Sequence, residues 1–244
     1  MTWRFEIYDT LTSTLDFCRK RASLNEKAGL VVIAHEQSAA RGTRGRKWSS
    51  DRGNLALTFL LYEDEEGKLL SVLPFIAALA LYDACIESAP ISHKIASQFQ
   101  LKWPNDLLLN GRKLSGILIE SGYNERGRWV NVGIGVNLVS APQLSDRATA
   151  SFSEIVPPPY NVTFAKLIIK SVTKWLKRWQ DEGNDVIYRS WLSYAHPVGS
   201  RIRVSRSNDI LSGFFNGIDS HGRLLLQQED GYIIPVATGD VFCL

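Results

Sequence analysis

The sequence predicts an α+β protein: a mixed sheet with helices packed against it over about residues 1–195, then a small β-barrel over about 196–244. Three observations predict it. Strand-like alternation recurs along the first 140 positions, separated by segments of helical period. Residues 164–180 keep an apolar stripe through Phe164, Leu167, Ile168, Val172, Trp175, Leu176 and Trp179. Beyond Pro197 the helical pattern stops, and five short apolar runs follow at turn-sized intervals.

In chain order, residues 3–8 form a strand. Thr12 or Ser13 caps the helix beginning TSTLDFCRKRA, and Asp16 complements its N-terminal dipole. Leu15, Cys18 and Ala22 are its apolar stripe. Capping alone explains Ser13 and Thr14; their second possible use is as hydroxyl donors beside a ligand at that helix end. Strands at 29–35 and 54–62 flank a basic loop. A polar turn at 63–68 precedes a buried helix at 70–88, which tolerates Pro74 only near its first turn.

Residues 101–121 form a hairpin about Asn110-Gly111, a strong two-residue turn signal. Lys113, just past the turn, reads as an exposed hairpin lysine. Gly116 interrupts the second arm, so something approaches that backbone closely. In the strand at 129–138, Val130, Val132, Ile134, Val136 and Leu138 share one face. Asn131, Gly133, Gly135 and Asn137 share the other, a shallow floor for a ligand or for a close strand–helix contact. No helical pattern follows the GIG, so it is not a dinucleotide fingerprint.

Residues 140–161, with prolines at 157–159, form an irregular connection. On the helix at 164–180, Lys166, Lys170, Lys174, Lys177 and Arg178 make a solvated face. A short helix at 185–194 ends before His196-Pro197. The barrel strands turn at Asn208-Asp209, His221-Gly222, Asp230-Gly231 and Thr238-Gly239.

A net charge of +3 is too small for wholesale nucleic-acid binding, so any basic function is local. Cys18, Cys85 and Cys243 form neither a zinc pattern nor a disulfide framework, which fits a reducing, cytoplasmic setting. The N-terminus alternates like a strand and is not a signal peptide. The most apolar stretch, 69–81, stops short of Asp83 and is too short to span a bilayer.

The local basic function lies in residues 31–48, VVIAHEQSAARGTRGRKW. Arg41, Arg44, Arg46 and Lys47 repel one another unless negative charge arrives. Gly42 and Gly45 let backbone amides approach an anion, and Trp48 offers a flat apolar face. An anion-gripping loop, a solvated basic loop and a nucleic-acid patch all remain open on this segment alone.

Three blocks, QSAARGTRGRKW, KWPNDLLLNGRKLSGILIE and VGIGVNL, in this order, together resemble the biotin protein ligases. STL near the N-terminus is similar to the family's STN, and the C-terminal PVGSRIRV…GRLLLQ…GD resembles its SH3-like domain. The resemblance covers essentially the whole chain. It implies a class II synthetase-like fold, and a monofunctional ligase without the DNA-binding domain that some members carry. It also implies two-step chemistry. Biotin and ATP, with Mg²⁺, give biotinyl-adenylate; a lysine of a carboxylase carrier domain then takes the biotinyl group.

By this resemblance Lys113 and Arg41 are the catalytic cations, Lys113 lying between the biotin carboxyl and the α-phosphate. Ser13, Thr14, Gln37, Gly42, Thr43, Gly116, Gly133 and Gly135 surround biotin. Arg44, Arg46, Trp48, Asn105 and Asn137 serve ATP, and Asp106 the metal side. The family allows a homodimer; neither DNA nor a membrane is an expected partner. A lipoate or octanoate ligase of the same superfamily is the runner-up, and a degenerate ligand- or nucleic-acid-binding relative is a third reading. Two departures stand out: Ala40 and Thr43 alter the usual GRGRRGRKW loop, and Leu15 replaces the usual asparagine. In the family the arginine replaced by Thr43 helps retain the adenylate.

Overall fold

The computed structural model describes residues 1–63, 67–89, 93–206 and 209–243. β1 (Arg4–Leu11) runs into α1 (Thr14–Ser23), which crosses over to β2 (Leu30–Gln37) beside and parallel to β1. Ser13 is the N-cap of α1, its Oγ accepting from the Asp16 amide at 3.3 Å. β3 (Leu55–Tyr62) returns antiparallel to β2. The sheet is completed by β4 (Phe99–Lys102), β5 (Asp106–Leu109), β6 (Arg112–Asn124) and β7 (Gly127–Val136), in the order β1-β2-β3-β7-β6-β5-β4. It is therefore mixed, as the alternation predicts.

The hairpin turns at Asn110 and Gly111, both at positive φ, as the Asn-Gly signal requires. Its first arm is shorter than expected. Trp103-Pro104 breaks the run into β4 and β5, and the short helix α3 (His93–Ala96) precedes β4.

One face of the sheet is covered by α2 (Leu69–Ser88) and α4 (Asn161–Glu182), the other by α1. α2 has 20 residues, more than its apolar run suggests, and by length and composition it could cross a bilayer. It is instead the central core helix. Almost every residue from Val72 to Cys85 is buried, and Asp83 accepts hydrogen bonds from Ser171 Oγ at 2.7 Å and Trp175 Nε1 at 2.9 Å on α4. The basic residues of α4 lie on its outer face, where Lys170 pairs with Glu87 and Lys177 with Asp181.

α5 (Asn184–Leu192) leads to a second sheet of β8 (Arg201–Ser205), β9 (Ile210–Ile218), β10 (Leu224–Gln227), β11 (Ile233–Val236) and β12 (Asp240–Cys243). Its antiparallel order, β11-β10-β9-β8-β12, is SH3-like. Asn208 of the expected Asn208-Asp209 turn and half of the polar turn before α2 lie outside the described residues. The second sheet is anchored to the first. Trp103 Nε1 donates to the Gly222 carbonyl at 3.0 Å, and Ile202, Val204 and Phe215 continue the main core.

Candidate active site

The site lies on the α1 side of the sheet, where β7 carries glycine instead of side chains. Thr14, at the start of α1, is buried in a chain of hydrogen bonds. Thr58 Oγ1 donates to Thr14 Oγ1 at 2.8 Å, and the Thr14 amide donates to Gln37 Oε1 at 2.7 Å. Gln37 Nε2 in turn donates to Ser50 Oγ at 3.1 Å. This chain fixes the amide orientation of Gln37 and ties the end of β2 to the start of α1 and to Ser50 beyond the loop.

The basic loop closes on itself through an Arg41–Lys47 bridge and a turn at Thr43–Gly45, with Arg44 at φ +58°. Each arginine has a carboxylate partner. Arg41 pairs with Glu120 on β6 and, at 2.8 Å, with Asp16 on α1. The Glu120 hydrogen bond, then that of Asp16, raises the Arg41 guanidinium above the ordinary arginine range, so it stays charged. Arg44 and Arg46 both reach Asp240 on β12. Lys47 alone, among the described residues of the loop, has a charged head without a carboxylate partner.

Trp48 turns inward, and its indole lies on Gly116 and Gly135. Leu15 likewise covers Gly133, where an added methyl would collide with it. The glycine face expected to form a ligand floor therefore seats the chain's own side chains, and at Gly133 the close strand–helix contact is what is seen.

Lys113 sits beside this floor, its Nζ 5.8 Å from the Trp48 ring centre. Expected as an exposed hairpin residue when taken alone, it is largely buried, and its ammonium lies 2.5 Å from Asp106 Oδ1. Burial pulls the Lys113 ammonium below the usual lysine range, opposed by Asp106. Burial works against the Asp106 carboxylate, but Lys113 and Lys102 together hold it below its ordinary value.

Two adjoining cavities meet at Lys113, Trp48, Gly42 and Thr43. The inner one, about 50 Å³, is lined by Ser13, Thr14, Leu15, Gln37, Arg41, Asn105, Gly116, Gly133 and Gly135. That is far below the ~300–1,000 Å³ of a ligand pocket, because Trp48 and Leu15 lie against the β7 glycines. The outer one, about 440 Å³, is lined by Arg46, Lys47, Asn137, Pro142, Leu144, Asp146, Arg147 and Thr149.

Most of the sequence-predicted residues thus converge, but not all as expected. Asn105 faces the inner cavity, its Nδ2 donating to the Ile117 carbonyl at 2.5 Å. Arg44 is exposed against Asp240 and lines neither cavity. Asn137 Nδ2 donates to the Ala150 carbonyl at 3.1 Å, while its buried Oδ1 has no hydrogen-bond partner among the described residues.

Asp106 does not fit the expected metal position. Two ammonium groups, 2.5 and 2.9 Å from its oxygens, repel a dication, and no group of three metal-ligating side chains exists among the described residues. Arg147 and its neighbours escaped sequence reasoning because they lie in the irregular connection. Asp240 escaped because only folding brings the second sheet to the loop.

The chain also matches proteins of known family over most of its length. The model of the biotin/lipoate A/B protein ligase family matches residues 8–137, and that of the biotin protein ligase C-terminal domain matches residues 198–244. A biotin–[acetyl-CoA-carboxylase] ligase of Paracoccus denitrificans is 36% identical over 220 residues, 84% of this chain and 88% of the relative. The biotin protein ligase of Aquifex aeolicus in complex with biotin and ATP superposes with a TM-score of 0.83 at 23% identity, covering 99% of each chain. That of Leishmania major in complex with biotinyl-5-AMP gives 0.69 at 27% identity, covering 96% of this chain and 99% of that one.

Proposed function

Because the chain belongs to the biotin/lipoate A/B protein ligase family, we propose that it is an ATP-dependent biotin protein ligase whose reacting groups meet at Lys113. A biotin carboxylate oxygen attacks the α-phosphorus of ATP, the bond to pyrophosphate breaks, and biotinyl-5′-adenylate forms. A carrier-domain lysine amine then attacks the acyl carbon, AMP leaves, and the amine loses its proton. We assign residues 1–195 to the catalytic unit and 196–244 to the appended SH3-like module.

The observation that supports this assignment is the position of Lys113 on the wall shared by the two cavities. Biotin takes the inner cavity, against Thr14, Gln37 and the β7 glycines, and ATP the outer one, against Arg46, Lys47, Trp48, Asn137 and Arg147. Lys113 then touches both anions and neutralises the charge that builds as they approach, in a site walled from water. Arg41, held by Asp16 and Glu120, fastens the loop over the biotin side. With Asp106 committed to lysines, Mg²⁺ enters as part of the Mg–ATP substrate. The lack of paired thiols among Cys18, Cys85 and Cys243 supports a cytoplasmic setting.

Mass spectrometry of a biotin-carrier domain incubated with the protein, Mg–ATP and biotin tests this reading, with lipoate in a parallel reaction. A biotin-sized gain on one lysine, absent without ATP, is expected. A gain with lipoate only, or none from folded protein, would overturn it.

A further inference from the structure

Asp106 is a single buried carboxylate shared by two half-buried lysines. Lys113 Nζ lies 2.5 Å from Oδ1 and Lys102 Nζ 2.9 Å from Oδ2, with side chains only 16% and 19% exposed and that of Asp106 8%. Lys102 also donates to the Val241 carbonyl of β12 at 3.2 Å. It lines neither the biotin nor the nucleotide cavity and faces a third, of about 250 Å³, with Arg147, Asp240 and Cys243. Lys102 therefore touches no reacting atom.

Building on the reading of Lys113 above, we infer that Lys102 is a positioning residue that keeps Asp106 neutralised when Lys113 turns from it toward the substrates. To reach the biotin carboxylate and the α-phosphate, Lys113 must loosen its contact with Asp106. A buried carboxylate left without a partner is strongly unfavourable, so with one lysine the ammonium would stay locked on Asp106. The second lysine removes that penalty: it remains on Oδ2, held by β12, and lets the charge of Lys113 be divided between Asp106 and the substrates. The Lys102 bond to Val241 makes this a point where the second sheet acts on the reaction.

The charged groups facing Lys113 are Asp106 from β5, Lys102 from β4 and Arg147 from the connection before α4, with Asp146 and Asp240 lining the same third cavity. Lys102 and Arg147 both push the Lys113 ammonium lower, whereas Asp106 raises it. Removing Lys102 should therefore raise the pH at which Lys113 titrates.

The test uses the full chain, pyrophosphate release with biotin and Mg–ATP, and Lys102→Met, Lys102→Arg and Asp106→Asn variants. Lys102→Met should lower kcat about a hundredfold with KM for both substrates nearly unchanged, as expected when a buried charge is stranded. Lys102→Arg should restore most of the rate. Lys102→Met should cost nothing further in an Asp106→Asn background, because the carboxylate it serves is gone. If Lys102→Met does not fold, Lys102→Gln carries the same expectation. A readout independent of turnover is the ¹⁵N resonance of Lys113 Nζ, which should titrate at higher pH in Lys102→Met than in the parent. Wild-type rates in Lys102→Met, an undiminished effect in the Asp106→Asn background, or an unmoved Lys113 titration would overturn the inference. Absence of adenylate formation by the parent protein would instead overturn the ligase reading, and the titration would still decide the role of Lys102.

Discussion

Arg46 of the basic loop donates two hydrogen bonds, each 3.0 Å, to the carboxylate of Asp240, 194 residues further along the chain. Arg44 adds a third at 2.9 Å. Burial opposes ionisation of Asp240, but Arg46 and then Arg44 hold its carboxyl below the ordinary 3.8. The basic loop is thus pinned from outside its own sheet.

Replacing Asp240 by Ala should release the loop. The pair is partly exposed, so the loss is about 1 kcal/mol after solvent screening. Cleavage by trypsin between Arg41 and Lys47 should accelerate and KM for ATP rise severalfold; an unchanged cleavage rate would refute the pinning. The parent loop should loosen in the same way in acid. A carboxylate with a lowered folded pKa contributes stability that is present above 3.8 and lost as pH falls through the lower folded value.

Gly133→Ala should destabilise the fold by about 1–3 kcal/mol, because the new methyl collides with Leu15. Leu15→Ala in the same chain should recover much of that loss, since the two sites share one contact. Urea unfolding of the single and double variants measures the coupling, and strict additivity would show that the contact does not govern Gly133.

Lys113→Met should abolish adenylate formation, by about a thousandfold or more, while leaving the fold intact, since Lys102 remains on Asp106. In the parent enzyme the active form is the ammonium, whose pKa burial pulls below 10.5. The rate of pyrophosphate release should be full below that lowered value and fall as pH rises through it. An alkaline limb at or above 10.5 would contradict the buried setting.

Thr43→Arg should slow escape of biotinyl-adenylate. Thr43 lines both cavities, and its Oγ1 accepts from Arg46 at 2.9 Å. A guanidinium there adds a charge-assisted bond to the phosphate, typically ~1.5–3 kcal/mol, about ten- to a hundredfold in release rate. Equal release measured after trapping the intermediate would defeat the expectation.

Much of this protein is set locally and was therefore legible in its sequence. Period-two and helical stripes set the strands and helices, Asn110-Gly111 set the hairpin turn, and Ser13 set the start of α1, because each depends on residues a few positions apart. The cations of the loop and the glycines of β7 were visible as types without their partners. Only the tertiary structure decided that Lys113 is buried against Asp106, that Leu15 and Trp48 occupy the glycine face, and that Arg46 belongs to Asp240. The physical reason is that charge pairing, desolvation and close packing act through space. They join residues that no local period relates, so folding decides what each of those side chains can do.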